Sequence, residues 1–464
     1  MGVQAGTQEE KFDLMTKTPV DRLICKLAVP TICSMLVTSV YNMADTYFVG
    51  QIGTSATGAV GVAFSMMAII QALGFFFGQG SGSYISRRLG AKDLDDASRM
   101  VTTGVFSAAI CGAIVGTLGL IFLKSLAWAL GSTETILPYA CEYLKYILIG
   151  TPWMVASLTL NNQLRFQGRA LYSMIGIMTG GILNVGLDPL CIFVFHMGIG
   201  GAGFATMMSQ AVSCALLVAG TFQKGNLRIH FRNFTPNAKY LKGIFQGGFP
   251  SLCRQSLASI ATICLNFAAG AYGDAAIAAM SIVMRISNFT GSAVIGFGQG
   301  FQPVCGFNYG ARKFDRVLKG FWFCVRIGTI IMLCLSVLAF IFSPQIVMLF
   351  RRDDPQVIEI GALALKAQCM AMPLLAWISL GNMMQQVIGQ SVRATIMALA
   401  RQGLFFLPLL AILVPHFGLF GIQICQPASD FCTALLAIPV CGKTIKELKL
   451  GTIIEPSKKA EKAG

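Results

Sequence analysis

Phe77-Gly78-Gln79-Gly80 recurs, residue for residue, as Phe297-Gly298-Gln299-Gly300, 220 positions further along the chain. The same offset sets Pro30 on Pro250, Gly53 on Gly273, Gly90-Ala91 on Gly310-Ala311 and Asp95 on Asp315. His196-x-Gly198-x-x-Gly201 falls on His416-x-Gly418-x-x-Gly421, and at an offset of 221 Asn161 and Gly168 fall on Asn382 and Gly389. A glycine-rich chain gives stray matches, but not this many on one diagonal. The chain is an internal duplication.

What each copy is made of follows from its solvent. The 464 residues are 12% charged and 55% hydrophobic, with a mean hydropathy of +0.68. A water-facing surface cannot be built from so little charge, so most of the chain faces lipid. Apolar runs fall at 23–48, 56–85, 100–123, 136–160, 170–195 and 200–222, then at 243–270, 276–308, 320–350, 357–385, 394–414 and 417–441. Each is long enough for a bilayer core of about 30 Å. The expected fold is an all-α polytopic membrane protein of twelve transmembrane helices in two pseudo-symmetric six-helix bundles. Six spans per copy give both copies the same orientation, the parallel-repeat plan of alternating-access transporters.

The organisation that follows is a segment 1–22, an N-lobe 23–222, a polar and basic linker 223–242 containing Pro236, a C-lobe 243–441 and a basic tail 442–464. Twenty-five Lys and Arg residues flank the span ends on the side of the N-terminus, against three (Lys124, Arg351, Arg352) on the other. That asymmetry places both termini in the cytoplasm. It also accounts for the net charge of +15 without nucleic acid. Segment 1–22 lacks the short apolar core of a cleavable signal. Most of the fifteen cysteines sit within apolar runs and form no disulfide framework. Glycines 74, 78, 80, 176, 180 and 181 suit close helix contact.

Acids inside spans are costly and point to function. Asp45 lies late in span 1 and Asp188 late in span 5. At about 1.5 Å per residue they sit roughly 27–32 Å above the starts of their spans, at one height. Asn184 shares a helix face with Asp188, and Thr206 lies near the same end of span 6. Two carboxylates, an amide and a hydroxyl suit a proton, since close acids favour protonation of one of them. The same oxygens suit a hard cation such as Na⁺. At an offset of 220 Asp45 meets Leu265 and Asp188 meets Pro408, so the C-lobe repeats neither acid. Pro30 interrupts the hydrogen bonding of span 1 and is its expected bending point. Tyr41, Asn42, Arg254, Gln255 and Met284 are candidate residues of a substrate cleft, and Arg254, Arg285, Arg326, Lys366 and Arg401 either snorkel or pair within the bundle. A Walker-type phosphate loop is missing, so ATP is not the expected energy source. Nothing marks an enzyme.

The duplicated halves, Asp45-Thr46-Tyr47-Phe48-Val49-Gly50, the paired Phe-Gly-Gln-Gly segments and the paired Asn-x6-Gly segments together resemble the multidrug and toxic compound extrusion (MATE) transporters. The likeness runs from about Pro19 to Gly442 and is strongest to the DinF-like, MepA-type branch. The resemblance implies a bacterial inner-membrane antiporter that exports cationic amphipathic drugs in exchange for H⁺ or Na⁺, working as a monomer and without a cofactor. It implies coupling at Asp45, Asn184, Asp188 and Thr206, with span 1 bending at Pro30. The NorM-like branch uses acids in spans 7 and 10, where this chain has Arg254, Gln255, Lys366 and Gln368. The alternative is a flippase for a lipid or lipid-linked precursor, which basic residues Arg254, Arg285 and Lys366 would suit.

Overall fold

A computed structural model describes residues 7–52, 54–350 and 354–453; the side chains at 39–47, 50, 54 and 57 lie outside the described residues. The described chain is helical, without strands. Spans 1 to 6 are Val20–Gly50, Thr54–Gly90, Leu94–Ile121, Leu137–Phe166, Ala170–Val194 and Gly198–Thr221. Spans 7 to 12 are Ala238–Gly270, Asp274–Gly310, Phe314–Ile341, Pro355–Ala371 with Leu374–Val387, Ser391–Phe417 and Leu419–Lys449. Nine of these are apolar enough to cross a membrane outright, and the bent pair of span 10 makes ten. Spans 1 and 4, of 31 and 30 residues, complete the twelve.

Span 4 is less apolar because Glu142 and Lys145 polarise one end and Asn161, Asn162, Gln163 and Arg165 the other. Much of the second group is hydrogen-bonded inside the bundle. Gln79 Nε2 and Arg165 Nη2 both donate to Asn162 Oδ1, at 3.0 and 2.5 Å, and Gln163 Nε2 donates to Ser81 Oγ at 2.9 Å. Polar groups paired this way can sit in a helix that crosses lipid. Span 4 accordingly packs against spans 2, 3, 5 and 6.

The duplication extends to backbone detail. Asn161 Nδ2 donates to the carbonyl of Ser173, and Asn382 Nδ2 to that of Ala394, in each case twelve residues on. Lys92 and Arg312 take the same left-handed turn, at φ of 60° and 59°, after spans 2 and 8. Gly168 and Gly389 do likewise at 78° and 82°, where a β-carbon would be strained. The copies differ at Pro152 and Pro373. Span 4 continues through its proline, whereas span 10 breaks there and bends by 55°.

The compact units are cut differently from the lobes drawn on hydropathy. Residues up to Thr18 and Val29–Leu252 form one unit, and Pro19–Ala28 with the residues from Cys253 onward form the other. Each first span therefore begins in the unit of the other copy. The handover falls at Ala28/Val29 in span 1 and at Leu252/Cys253 in span 7, two residues from Pro30 and from Pro250. Span 7 also starts at Ala238, five residues before the apolar run at 243.

The repeated Phe-Gly-Gln-Gly segment makes this exchange possible. A β-carbon on Gly80 would lie 2.2 Å from the carbonyl oxygen of Ile244, and one on Gly248 would lie 2.1 Å from that of Phe76. In the other unit, a β-carbon on Gly300 would lie 2.7 Å from the backbone of Ala28. Each contact is backbone against backbone, so nothing flexible can move aside. The opening turns of span 7 are then tied down by Asp96. Its carboxylate accepts from Tyr84 Oη (2.6 Å), Tyr240 Oη (2.7 Å), Lys239 Nζ (2.7 Å) and Arg88 Nε (2.9 Å).

Gly80→Ala and Gly300→Ala are each expected to lower the thermal unfolding temperature of the detergent-purified protein, because overpacking a tight contact costs about 1–3 kcal/mol. Gly442→Ala, in span 12 with nothing within 4 Å of the added carbon, should leave it unchanged or slightly raised.

Candidate functional site

Span 5 brings Asn184 and Asp188 onto one face a helical turn apart, and glycines let span 6 close over them. A β-carbon on Gly176 would lie 2.5 Å from the Leu217 side chain, and one on Gly180 would lie 2.9 Å from that of Ser213. Ser213 Oγ donates to the Gly176 carbonyl at 2.9 Å, which fixes the register of the two helices. Further along the same interface, Asn184 Nδ2 donates to Asp188 Oδ1 at 3.2 Å and to Thr206 Oγ1 at 3.3 Å. All three residues are buried, with Asp188 fully so. Pro189 follows directly, and span 5 then widens into a π-helical turn, Leu190–Val194. Such turns recur at functional sites.

Three of the four sequence-derived coupling residues thus form one hydrogen-bonded cluster. The fourth, Asp45, lies on the helix of span 1, but its side chain is outside the described residues, as are those of Tyr41 and Asn42. The cluster presents oxygen chemistry: Asn184 Oδ1 accepts no hydrogen bond among the described residues, and a carboxylate and a hydroxyl stand beside it. An oxygen set of this kind suits a proton or a hard monovalent cation. Among the described residues no three His, Cys, Asp or Glu side chains gather in a metal-binding group.

Pro30 lies inside the continuous helix of span 1, where Ser34 Oγ donates to its carbonyl at 2.9 Å and Thr38 Oγ1 to that of Ser34 at 2.8 Å. Thr38 also lines a cavity of about 150 Å³ within the N-terminal unit, together with Phe64, Met67, Gln71, Met154 and Gln210. The described lining carries no charge, and it includes Ser213 from the contact between spans 5 and 6. Polar side chains and soft methionine share its wall, which suits amphipathic ligands of varied shape.

The C-terminal unit holds an acid that the sequence reading overlooked. Asp430 in span 12 is fully buried, and Arg401 Nε donates to its Oδ1 at 2.7 Å. Gln426 Nε2 donates to the same oxygen at 3.0 Å, and Gln368 Nε2 to Oδ2 at 3.1 Å. Leu265 and Pro408 stand at the repeat positions of Asp45 and Asp188, as the sequence shows. No acid stands at the repeat position, but one is buried elsewhere. Arg401 neither snorkels nor stands alone; it pairs. It sits in a second π-helical turn, Ala400–Phe406, whose Arg401 carbonyl accepts from Ser429 Oγ at 2.5 Å. A single Asp within the run 417–441 was the available signal. Met284 lines a cavity in this unit, while Arg254 and Gln255 are half-buried on span 7.

Comparisons with known proteins agree with this architecture. The MatE family profile matches twice, at residues 30–190 and 250–412, once for each copy. The multidrug export protein MepA of Staphylococcus aureus is 30% identical over 420 residues, covering 89% of this chain and 92% of that one. A crystal structure of MATE in complex with MaL6 superposes with a TM-score of 0.89 at 26% identity, covering 94% and 99% of the two chains. A MOP superfamily transporter from Pyrococcus furiosus Vc1, described as having a binding pocket of reverse polarity that suggests a different function, gives 0.89 at 26% identity over 97% and 100%. The fold is that of a duplicated multi-pass membrane transporter and not of an enzyme. The chain belongs to the MatE family of MATE transporters.

Removing one member of a buried ion pair costs about 3–5 kcal/mol when both are fully buried, and Arg401 is partly exposed, so Asp430→Leu should cost roughly 2–3 kcal/mol. Arg401→Met/Asp430→Leu should recover most of that loss. Unfolding in increasing SDS checks both.

Proposed function

We propose that this protein exports cationic amphipathic drugs across a bacterial inner membrane in exchange for H⁺ or Na⁺, with both termini in the cytoplasm. The observation that carries the reading is the buried Asn184–Asp188–Thr206 cluster, joined through the span 5 and span 6 interface to an uncharged amphipathic cavity. The MepA relative is itself a multidrug export protein, which supports the substrate class.

In this mechanism the cation enters at Asp188, Asn184 and Thr206, with Asp45 as the span 1 partner. Neutralising the buried carboxylate removes the cost of holding a charge in a low dielectric. The packing that suits the charged form then differs from the one that suits the neutral form. Span 1 responds at Pro30, where its helix lacks a backbone hydrogen bond and where Thr38, two turns on, lines the cavity. Drug and cation compete through this change, so each weakens the binding of the other and exchange follows by linkage. The basic span ends hold the protein in its orientation.

A second reading, export of a lipid or lipid-linked precursor, draws on the basic residues Arg254, Arg285 and Lys366 of the second half.

Ethidium efflux from proteoliposomes under an imposed pH or sodium gradient tests the first reading. Asp45→Asn and Asp188→Asn should each reduce gradient-driven efflux by about 5- to 150-fold, the span of typical coupling energies. Efflux untouched by either substitution removes these acids from the mechanism. Transport of a labelled lipid precursor without transport of ethidium favours the second reading.

A further inference from the structure

The cavity that Met284 lines lies within the C-terminal unit, encloses about 180 Å³ and is walled by spans 7, 8, 10, 11 and 12. Leu265, Met280, Val283 and Phe406 give it an apolar side. Gln368, Gln402, Gln423 and Gln426 give it a polar one, and Arg401 is the single charged residue among the described lining.

The way Arg401 is held is informative. Nε donates to Asp430 Oδ1 at 2.7 Å and Nη2 reaches Oδ2 only at 3.5 Å, while Nη1 donates to no acceptor among the described residues. The Arg401 side chain is 32% exposed, whereas its partner is 0% exposed. Asp430 is braced from two further directions by Gln368 and Gln426, both of which line the cavity. It therefore fixes the guanidinium by one edge and leaves the other edge unused. Arg254 lies close enough for its charge to act on Arg401. Asp430 bonds only Arg401 of the two, and the two guanidinium groups with this one carboxylate carry one positive charge in excess.

We propose that this cavity binds the carboxylate of a small amphipathic acid on the unused edge of Arg401. The apolar body of the ligand lies against Met280, Met284 and Phe406, and its carboxylate supplies the negative charge the site lacks. Guanidinium and carboxylate match in shape and form charge-assisted hydrogen bonds, about twice as strong as neutral ones. A neutral amide offers an oxygen but no charge, and a cation meets repulsion from both arginines. Asp430 acts as a positioning residue, orienting Arg401 without touching the ligand. The site goes beyond the drug-cation exchange proposed above and uses none of Asn184, Asp188 and Thr206. Its occupancy requires no gradient, so it stands or falls separately.

The test is isothermal titration calorimetry of the full-length purified protein with naphthalene-1-acetate and with the nearly isosteric naphthalene-1-acetamide, at a pH where the acid is ionised. The acid should bind at least about tenfold more tightly than the amide, as one charged hydrogen bond implies. Arg401→Gln should erase that preference. Arg401→Gln/Asp430→Asn leaves an uncharged pair of similar shape, so it guards against misfolding and should also bind the two compounds equally. Equal affinities in the wild type, no binding of the acid, or a preference that survives in the double variant would each overturn the proposal.

Discussion

Two close approaches of backbone to backbone govern this molecule, at Gly80 in one unit and at Gly300 in the other. Each lets the opening turns of a first span lie against a helix of the opposite copy: span 7 on span 2, and span 1 on span 8. A side chain at either glycine would hold the helices apart and undo the exchange. The Asp96 carboxylate, with four donors gathered from spans 2 and 7, then locks one of the two crossings. Spans 1 and 7 thereby become covalent bridges between units, each carrying a proline two residues from its handover. In span 1 the proline, which cannot donate a backbone hydrogen bond, thus stands next to the point where the helix changes its packing partner.

The halves began as copies and diverged in how they bury charge. In the N-terminal unit Asn184 donates to the Asp188 carboxylate and to the Thr206 hydroxyl. The C-terminal unit neutralises Asp430 with Arg401. Burial of a carboxylate is costly unless it is relieved, and the two units relieve it with different side chains: an amide at Asp188 and a guanidinium with two amides at Asp430. Both sites adjoin π-helical turns, in the equivalent spans 5 and 11. A widened turn breaks the regular ladder and re-aims side chains and carbonyls toward the interior.

Much of this was legible in the residues. The Phe-Gly-Gln-Gly and Asn-x6-Gly matches revealed the duplication because a close backbone contact and a carbonyl-capping amide tolerate few substitutions. Asn184 and Asp188 could be placed on one face from helical periodicity alone. The exchange of opening turns was not legible. Hydropathy marks where a helix enters lipid but says nothing about which neighbour it packs on, and Lys239 and Tyr240 are linker by composition although the fold sets them against Asp96. Asp430 was missed for a related reason. The repeat does not mark it, since position 210 in the first copy is Gln. A buried acid paired with an arginine 29 residues earlier leaves no local pattern.

In the proposed exchange a cation and a drug bind with negative coupling through the Asp188 cluster. The most direct measurement is the equilibrium affinity of ethidium for the purified protein, followed by fluorescence across the neutral pH range, with and without sodium, in wild type and Asp188→Asn. Affinity in the wild type should weaken as protons or sodium are added, and the variant should show no such dependence. Ethidium affinity that ignores both cations in the wild type, or a dependence that persists in Asp188→Asn, would contradict it.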